Sequence, residues 1–277
     1  VLSATERMEG HRNEFYDDPM FPWLPPTPQG KVEDKQSTPN FGVRWQLTSF
    51  ATFKANWGRY YRLPTFLELF GNLGSVTGSS ALEAEEGINR DIGVILAKDR
   101  AGHFRRLFFE AVYLNNRVDN LILFFPNSQY TSKPVNIGSA YIKGWELSCS
   151  GAFQQWLQLS GNYTRLDTED TSDIPYYNGN QLAGRPENEF SLLLDWLHAR
   201  WKIGYEYHYI GNNFIDRANM REIPSREIHN LVVKIHTPLE GLSLTAEGRN
   251  ITGNRISDIN GFPLPGRTFY TTLSYQY

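Results

Sequence analysis

The sequence predicts an all-β chain, an antiparallel transmembrane β-barrel of about twelve strands. Three observations carry that prediction. Apolar and polar side chains alternate along most of the chain from Gly87 onward, the period of a strand whose two faces meet different surroundings. Short connections alternate with long ones, the rhythm of a barrel with tight turns at one end and long loops at the other. The closing stretch from Gly261 to Tyr277 opens on turn residues and then alternates, with Phe269, Thr271, Leu273, Tyr275 and Tyr277 on one face and Tyr270, Thr272, Ser274 and Gln276 on the other.

Taken in order, Val1 to Phe15 reads as a strand with weak alternation. Residues 17 to 40 read as a loop, because Pro19, Pro22, Pro25, Pro26, Pro28 and Pro39 oppose regular structure. Phe41 to Leu47 and Ala51 to Tyr60 are strands around Thr48, Ser49 and Phe50. A Gly- and Ser-rich loop runs from Arg62 to about Glu85. Gly87 to Ala97 and the stretch around Leu107 to Leu114 form the next pair, joined by Lys98 to Gly102. A loop with Pro126 and Pro134 spans Phe125 to Asn136. Tyr141 to Cys149 and Leu157 to Thr164 follow, then a polar loop from Asp167 to Gly184.

Phe190, Leu192, Leu194 and Trp196 alternate with Glu189, Ser191, Leu193 and Asp195. The clearest alternation sets Trp201, Ile203, Tyr205, Tyr207 and Tyr209 against Lys202, Gly204, Glu206 and His208. Leu231, Val233 and Ile235, then Leu242, Leu244 and Ala246, continue the apolar face. Leu192, Leu194, Tyr205 and Leu244 are expected to face lipid, and Glu206, Ser243, Thr245 and Glu247 the lumen. Glu110, Glu146, Glu189, Asp195, Lys202, Glu206, Lys234, Glu247 and Arg249 then form a charged inner wall, as a water-filled or plugged lumen allows. Phe108 and Trp145 are expected on that inner wall too.

Composition narrows the classes. The 277 residues hold 14% aromatics, a good supply for interfacial girdles, and no run of about 18 apolar residues that would make a transmembrane helix. A net charge of −3 without a long basic block gives no support for nucleic acid as a partner. Cys149 is the single cysteine, so neither an internal disulfide nor a cysteine-rich metal site is available. No Gly-x-Ser-x-Gly occurs, and His198, His208 and His229 lack an evident serine partner, which disfavours a barrel enzyme. No catalytic residue, metal site or cofactor is expected; His208, His229 and His236 are metal ligands only if neighbouring strands bring them together.

Several local signatures fall in one order over residues 40 to 277. Tyr60-Tyr-Arg-Leu-Pro-Thr-Phe-Leu-Glu-Leu-Phe-Gly71 resembles the Arg-x-Pro…Glu-Leu-Phe box of TonB-dependent outer-membrane receptors. Leu82-Glu-Ala-Glu85 with Asn89 and Gly93 resembles that family's Leu-x-Pro-Glu…Asn…Gly segment, with Ala84 where Pro is usual. Gly144-Trp-Glu146, Gly184-Arg-Pro186, Asn250-Ile251 and Gly261-Phe-Pro-Leu-Pro-Gly-Arg267 are similar to its later motifs. The resemblance implies an outer-membrane receptor of a Gram-negative bacterium. It further implies a plugged barrel of about 22 strands, energised through TonB for uptake of a scarce nutrient, above all an iron-siderophore or similar metal chelate.

On that reading, residues 1–277 are the C-terminal portion of the barrel, an open half-barrel, and the sequence begins inside a longer chain whose N-terminal plug contacts TonB. The other implied partners are outer-membrane lipid and the barrel-assembly machinery, which reads the aromatic terminal strand. The alternative is a complete small outer-membrane barrel, porin-like or enzymatic. The ligand candidates are Arg62, in the family box, and Phe125, Tyr130, Tyr176, Tyr177 and Arg217 in or beside long loops, with Met220 nearby. Aromatic rings and guanidinium groups suit a metal chelate through stacking and charge pairing. Such residues also serve simply to pack loops or meet headgroups, and Arg62 with Glu68 also fits a role in fixing loop structure. Residues 65 to 81 hold no histidine, so the resemblance disfavours haem.

Overall fold

The computed structural model describes residues 1–15, 30–72, 74–128, 131–255, 257–259, 262–263 and 265–276. In chain order the elements are β1 (Leu2–Phe15), β2 (Gly30–Gln46), β3 (Ala51–Arg62), α1 (Phe66–Phe70), β4 (Glu85–Ala101), β5 (Phe104–Asp119), β6 (Ile122–Ser128), β7 (Thr131–Asn136), β8 (Ser139–Phe153) and β9 (Leu157–Asp170). They continue with β10 (Asn188–His198), β11 (Trp201–Ile210), β12 (Asn213–Phe214), β13 (Glu222–Ile223), β14 (Arg226–His236), β15 (Leu242–Arg249), β16 (Ser257–Ile259), β17 (Phe262–Pro263) and β18 (Thr268–Tyr275). One 12-stranded sheet has the order β1-β2-β3-β4-β5-β8-β9-β10-β11-β14-β15-β18. Every neighbouring pair is antiparallel and follows the chain, so the sheet is a meander. Among the described residues, β1 and β18 are its two open edges.

Register carries one face through the whole sheet. Glu110 lies opposite Ser148, Glu146 opposite Thr164, Asp195 opposite Gly204, Glu206 opposite Asn230, and Glu247 opposite Tyr270. All nine charged residues expected on the inner wall share that face, and the described cavities open mainly on its side. The other face carries Phe41, Ile92, Phe109, Leu159, Leu194, Tyr205, Leu231, Leu244 and Leu273. Such residues outside a barrel meet hydrocarbon, so their exposure has a physical reason. Aromatic pairs recur on that face: Phe41–Trp57, Tyr113–Trp145 and Phe190–Tyr207, at ring separations of 5.7, 5.1 and 5.9 Å.

Trp145 corrects an expectation. It pairs with Tyr113 and Arg165, two strand positions on the lipid face, while Phe108 keeps the inner face with Ser150. Strict alternation with Glu146 already demands this. Its neighbour Gly144 explains the Gly-Trp-Glu signature: a Cβ there would lie 2.0 Å from the Arg165 carbonyl oxygen. At the short-turn end Gly241 has φ 78°, a left-handed conformation that favours glycine.

The short turns occupy residues 47–50, 102–103, 154–156, 199–200 and 237–241, and the long connections 63–84, 120–138, 171–187, 211–225 and 250–267 alternate with them. Three loop expectations change. Residues 30–40 belong to β2 rather than to a loop, with Pro39 opposite Glu6. Pairing of β2 with β3 begins only at Asn40, so the missing N–H of Pro39 costs no ladder bond on that side. The expected loop from Phe125 to Asn136 lies in the β6–β7 hairpin, and the loop after Arg62 contains α1. The Thr65–Glu68 capping box makes this single helical turn, a signal present in the sequence.

Candidate functional site

The long-loop side is a packed layer. Its buried apolar centre is Val118, Ile137, Ala140 and Leu182, gathered from β5, β8 and two different loops. Tyr60, Leu121, Phe125 and Ile142 pack against it. Hydrogen bonds join loops that are far apart in sequence. Val76 bridges Ser132 in parallel fashion, and Asn136 donates to the carbonyls of Glu83 and Asn120 at 3.0 and 2.7 Å. A polar side chain that satisfies two loop backbones at once fixes their relative position.

Arg62 ends β3 beneath this layer. Its Nε donates to Glu85 Oε2 at 2.6 Å and its Nη1 to Glu68 Oε2 at 3.0 Å. Glu85 in turn accepts from the Ile122 backbone N–H at 2.7 Å, so one arginine ties β3, α1 and β4 to the start of β6. Glu68 also accepts from the Thr65 N–H and hydroxyl at 2.6 and 3.0 Å. Burial alone pushes the Glu68 carboxyl up, but the bonds from Arg62 and Thr65 outweigh it and hold the group below the usual carboxylate range. The sequence-predicted site residue Arg62 is therefore engaged by two carboxylates.

Arg217 holds the second junction. It reaches from the β11–β14 loop to Asp170 at the end of β9, with Nε donating to Oδ2 at 2.5 Å and Nη2 to Oδ1 at 3.2 Å. The same Nη2 donates to the Ile137 carbonyl at 2.7 Å and to Ser172 Oγ at 2.6 Å. Asp170 is 1% exposed. The guanidinium lies 4.3 Å from the centre of the Tyr177 ring, a cation–π stack. Asn219 locks the two loops further, accepting from the Gln181 N–H at 2.8 Å and donating to its carbonyl at 2.9 Å. The loops at 171–187 and 211–225 thus form one unit.

Tyr176 stands on that unit, 63% exposed, its ring edge-on to Tyr177 at 5.2 Å and its hydroxyl 3.4 Å from the Met220 sulfur. Met220 is 75% exposed. Of the expected ligand residues, the structure brings Tyr176, Tyr177 and Arg217 together, places Phe125 against the loop core, and holds Arg62 below. Tyr130 lies outside the described residues. Asp170, Ser172 and Asn219 escaped sequence reasoning; a polar residue that supports loops leaves no periodic signal.

The three histidines do not converge. His208 and His236 lie on the inner face at opposite ends of their strands, and His229 lies on the outer face with Nδ1 2.7 Å from the Tyr205 hydroxyl. Among the described residues no cluster of three or more His, Cys, Asp or Glu side chains is placed to hold a metal ion.

Residues 7–251 match the family model described as TonB dependent receptor-like, beta-barrel. Over 248 residues the chain is 24% identical to the vitamin B12 transporter BtuB of Vibrio vulnificus (strain CMCP6), which covers 88% of this chain and 37% of that protein. The copper transporter OprC superposes with a TM-score of 0.78 at 18% identity, over 100% of this chain and 44% of that one. The siderophore receptor PiuA from Acinetobacter baumannii does so with a TM-score of 0.70 at 18% identity, over 89% and 37%. The chain spans about two fifths of the length of these relatives.

Proposed function

The chain belongs to the TonB-dependent receptor-like β-barrel family, and from that premise we propose that it is the C-terminal portion of a receptor that captures a metal chelate in its long loops and imports it with energy passed through TonB. The family is one of Gram-negative outer-membrane receptors, not of enzymes. Support for the portion is the coverage: an open sheet of 12 strands aligns with 37–44% of the relatives. Vitamin B12, copper and siderophores are what the relatives' names carry, and a chelate of a transition metal joins two of the three.

The observation that carries the reading is the platform at Tyr176. An exposed phenol and an exposed thioether stand on two loops fastened by a buried ion pair. A rigid, aromatic, outward surface binds a planar or catecholate ligand with little loss of conformational freedom. Tyr176 is the contact residue in this proposal; Arg217 and Tyr177 hold the surface that presents it, while Phe125 packs on the loop core and Arg62 fastens α1 and β4 below.

The test is binding by the full-length receptor in detergent to a ferric tris-catecholate, to cyanocobalamin and to free copper, followed by intrinsic fluorescence. One chelate is expected to bind, and Tyr176→Ala to weaken it by about tenfold, the loss of one aromatic contact of about 1.4 kcal/mol. Equal binding by the variant removes Tyr176 from the site. A full-length protein that binds no chelate and conducts ions as an open pore refutes the receptor reading.

A further inference from the structure

The outward face of the sheet is not apolar over its whole height. On the adjacent strands β3, β4, β5 and β8 its long-loop end carries Arg59, Arg90, Arg117 and Lys143. Register sets the pattern. Arg90 lies opposite Trp57, which lies opposite Phe41 on the lipid face. Arg59 and Arg117 flank Ile88, one outward position nearer the loops, and Lys143 lies opposite Asn115. The cations therefore zigzag across the wall from strand to strand.

The residues above and below them differ. On the bilayer side run Ile92, Tyr113 and Trp145, opposite one another in that order, with the Tyr113 and Trp145 rings 5.1 Å apart. On the loop side Glu86 faces Asp119. Aromatic rings on a barrel wall mark the headgroup level, so cations just beyond them stand at the depth of lipid phosphates. Toward the short turns the outward positions of the same strands are Phe53, Leu96 and Phe109, with Lys98 beyond them.

The cations are available. Arg59 pairs with Glu86 at 2.6 Å, Lys143 with Asp167 at 3.0 Å and Arg117 with Asp119 at 3.6 Å. Exposed pairs of this kind hold little free energy and exchange readily for another anion. The Arg59 and Arg117 side chains stay 49% and 66% exposed despite their pairs. Arg90 is exposed and, among the described residues, has no ion-pair partner.

Width selects the occupant. Three inter-strand steps separate β3 from β8, about 14 Å along the wall. A single phosphate meets two neighbours of the zigzag, whereas a headgroup with several phosphates meets the whole belt. The strip of Ile92, Tyr113 and Trp145 directly beneath gives acyl chains a surface that a soluble anion would not use. We propose that this belt binds a lipid whose headgroup carries more than one phosphate, in the leaflet on the long-loop side. The proposal rests on the membrane location of the family and not on what the receptor imports.

The test is native mass spectrometry of the full-length protein in detergent, titrated with diphosphoryl lipid A, with a neutral diacylglycerol and with inorganic phosphate. Adducts of diphosphoryl lipid A are expected at concentrations where diacylglycerol gives none. Arg90→Gln breaks no internal ion pair and is expected to weaken them about fivefold, the weight of one surface cation against anionic lipid. R59Q/R90Q/R117Q is expected to weaken them about tenfold or more, and K98Q to leave them unchanged. Heat-modifiable mobility shows that each variant is assembled. Equal adduct formation by diacylglycerol, or adducts undiminished in Arg90→Gln, overturns the proposal. Displacement of the lipid by an equal concentration of inorganic phosphate overturns it in favour of a free-phosphate site.

Discussion

Arg62 and Arg217 show what an arginine does in a loop layer that carries few buried apolar residues. Arg62 donates to carboxylates from two segments, and Arg217 to one carboxylate, a hydroxyl and a backbone carbonyl, so removing either releases two or three connections together. For Arg217→Ala the partner Asp170 is left buried and unpaired, at a cost of about 3–5 kcal/mol. Amides of residues 171–187 and 211–225 are then expected to exchange faster together, with the strand amides unchanged. Exchange confined to one loop would show that the pair does not couple them. Arg62 is more open, so screening lowers the expected cost of Arg62→Ala to about 1–2 kcal/mol. Glu68 adds a pH dependence. Its folded-state pKa lies below the unfolded one, so its stabilisation is complete above the ordinary glutamate value of about 4.3 and is lost as pH falls below it. Proteolysis of the 63–84 loop is expected to rise on acidification in the wild type and to change less in Glu68→Gln.

At the scale of elements, the strands were legible in the sequence and the loop structure was not. The two-residue period survives in a single sequence because each strand meets lipid on one side and a polar lumen on the other, as Tyr205 and Glu206 illustrate. Leu194, paired with Tyr205 and Leu159 on the lipid face, makes this quantitative. Leu194→Arg is expected to cost about 2–4 kcal/mol near the bilayer midplane, measured by reversible unfolding in lipid. Cysteines at 205 and 206 should differ in labelling by a water-soluble maleimide, with 206 the faster; equal rates would dissolve the face assignment. The β6–β7 hairpin has no such period, because its residues serve the loop core: Ile122 is buried there and Pro134 lies opposite Phe124. Asp170 and Asn219 carry no periodic signal in the sequence, and Glu85 stands out there only as part of the Leu82-Glu-Ala-Glu85 segment. Their partners lie tens of residues away, and only the meander brings them into reach. Arg62, Tyr177 and Arg217 were legible as loop residues of the right chemistry. Arg62 with Glu68 was also legible as a pair that fixes loop structure; the engagement of Arg62 with Glu85 and of Arg217 with Asp170 was not.

At the scale of the molecule, the sheet poses a problem of edges. Among the described residues β1 pairs only with β2 and β18 only with β15, so each presents one row of N–H and C=O groups without a strand beside it. In water such a row is solvated; in hydrocarbon each unsatisfied group costs several kcal/mol. Over the eight residues of β18 the sum exceeds the net stability of about 5–15 kcal/mol typical of a folded domain. A wall of these 12 strands is therefore stable in a membrane only when both edges are covered. Closing β1 directly onto β18 would tighten the curvature around a face that carries Phe108, Glu146, Glu206 and Lys234. Residues 1–277 expressed alone are accordingly expected to aggregate in detergent, to show no shift in gel mobility on heating and to bind no chelate. The full-length protein is expected to fractionate with the outer membrane, to show that shift, and to lose it when Tyr275 to Tyr277 are deleted. A monodisperse, heat-modifiable 277-residue monomer with a defined conductance would mean that β1 and β18 can meet, and that this sequence closes into a small barrel by itself.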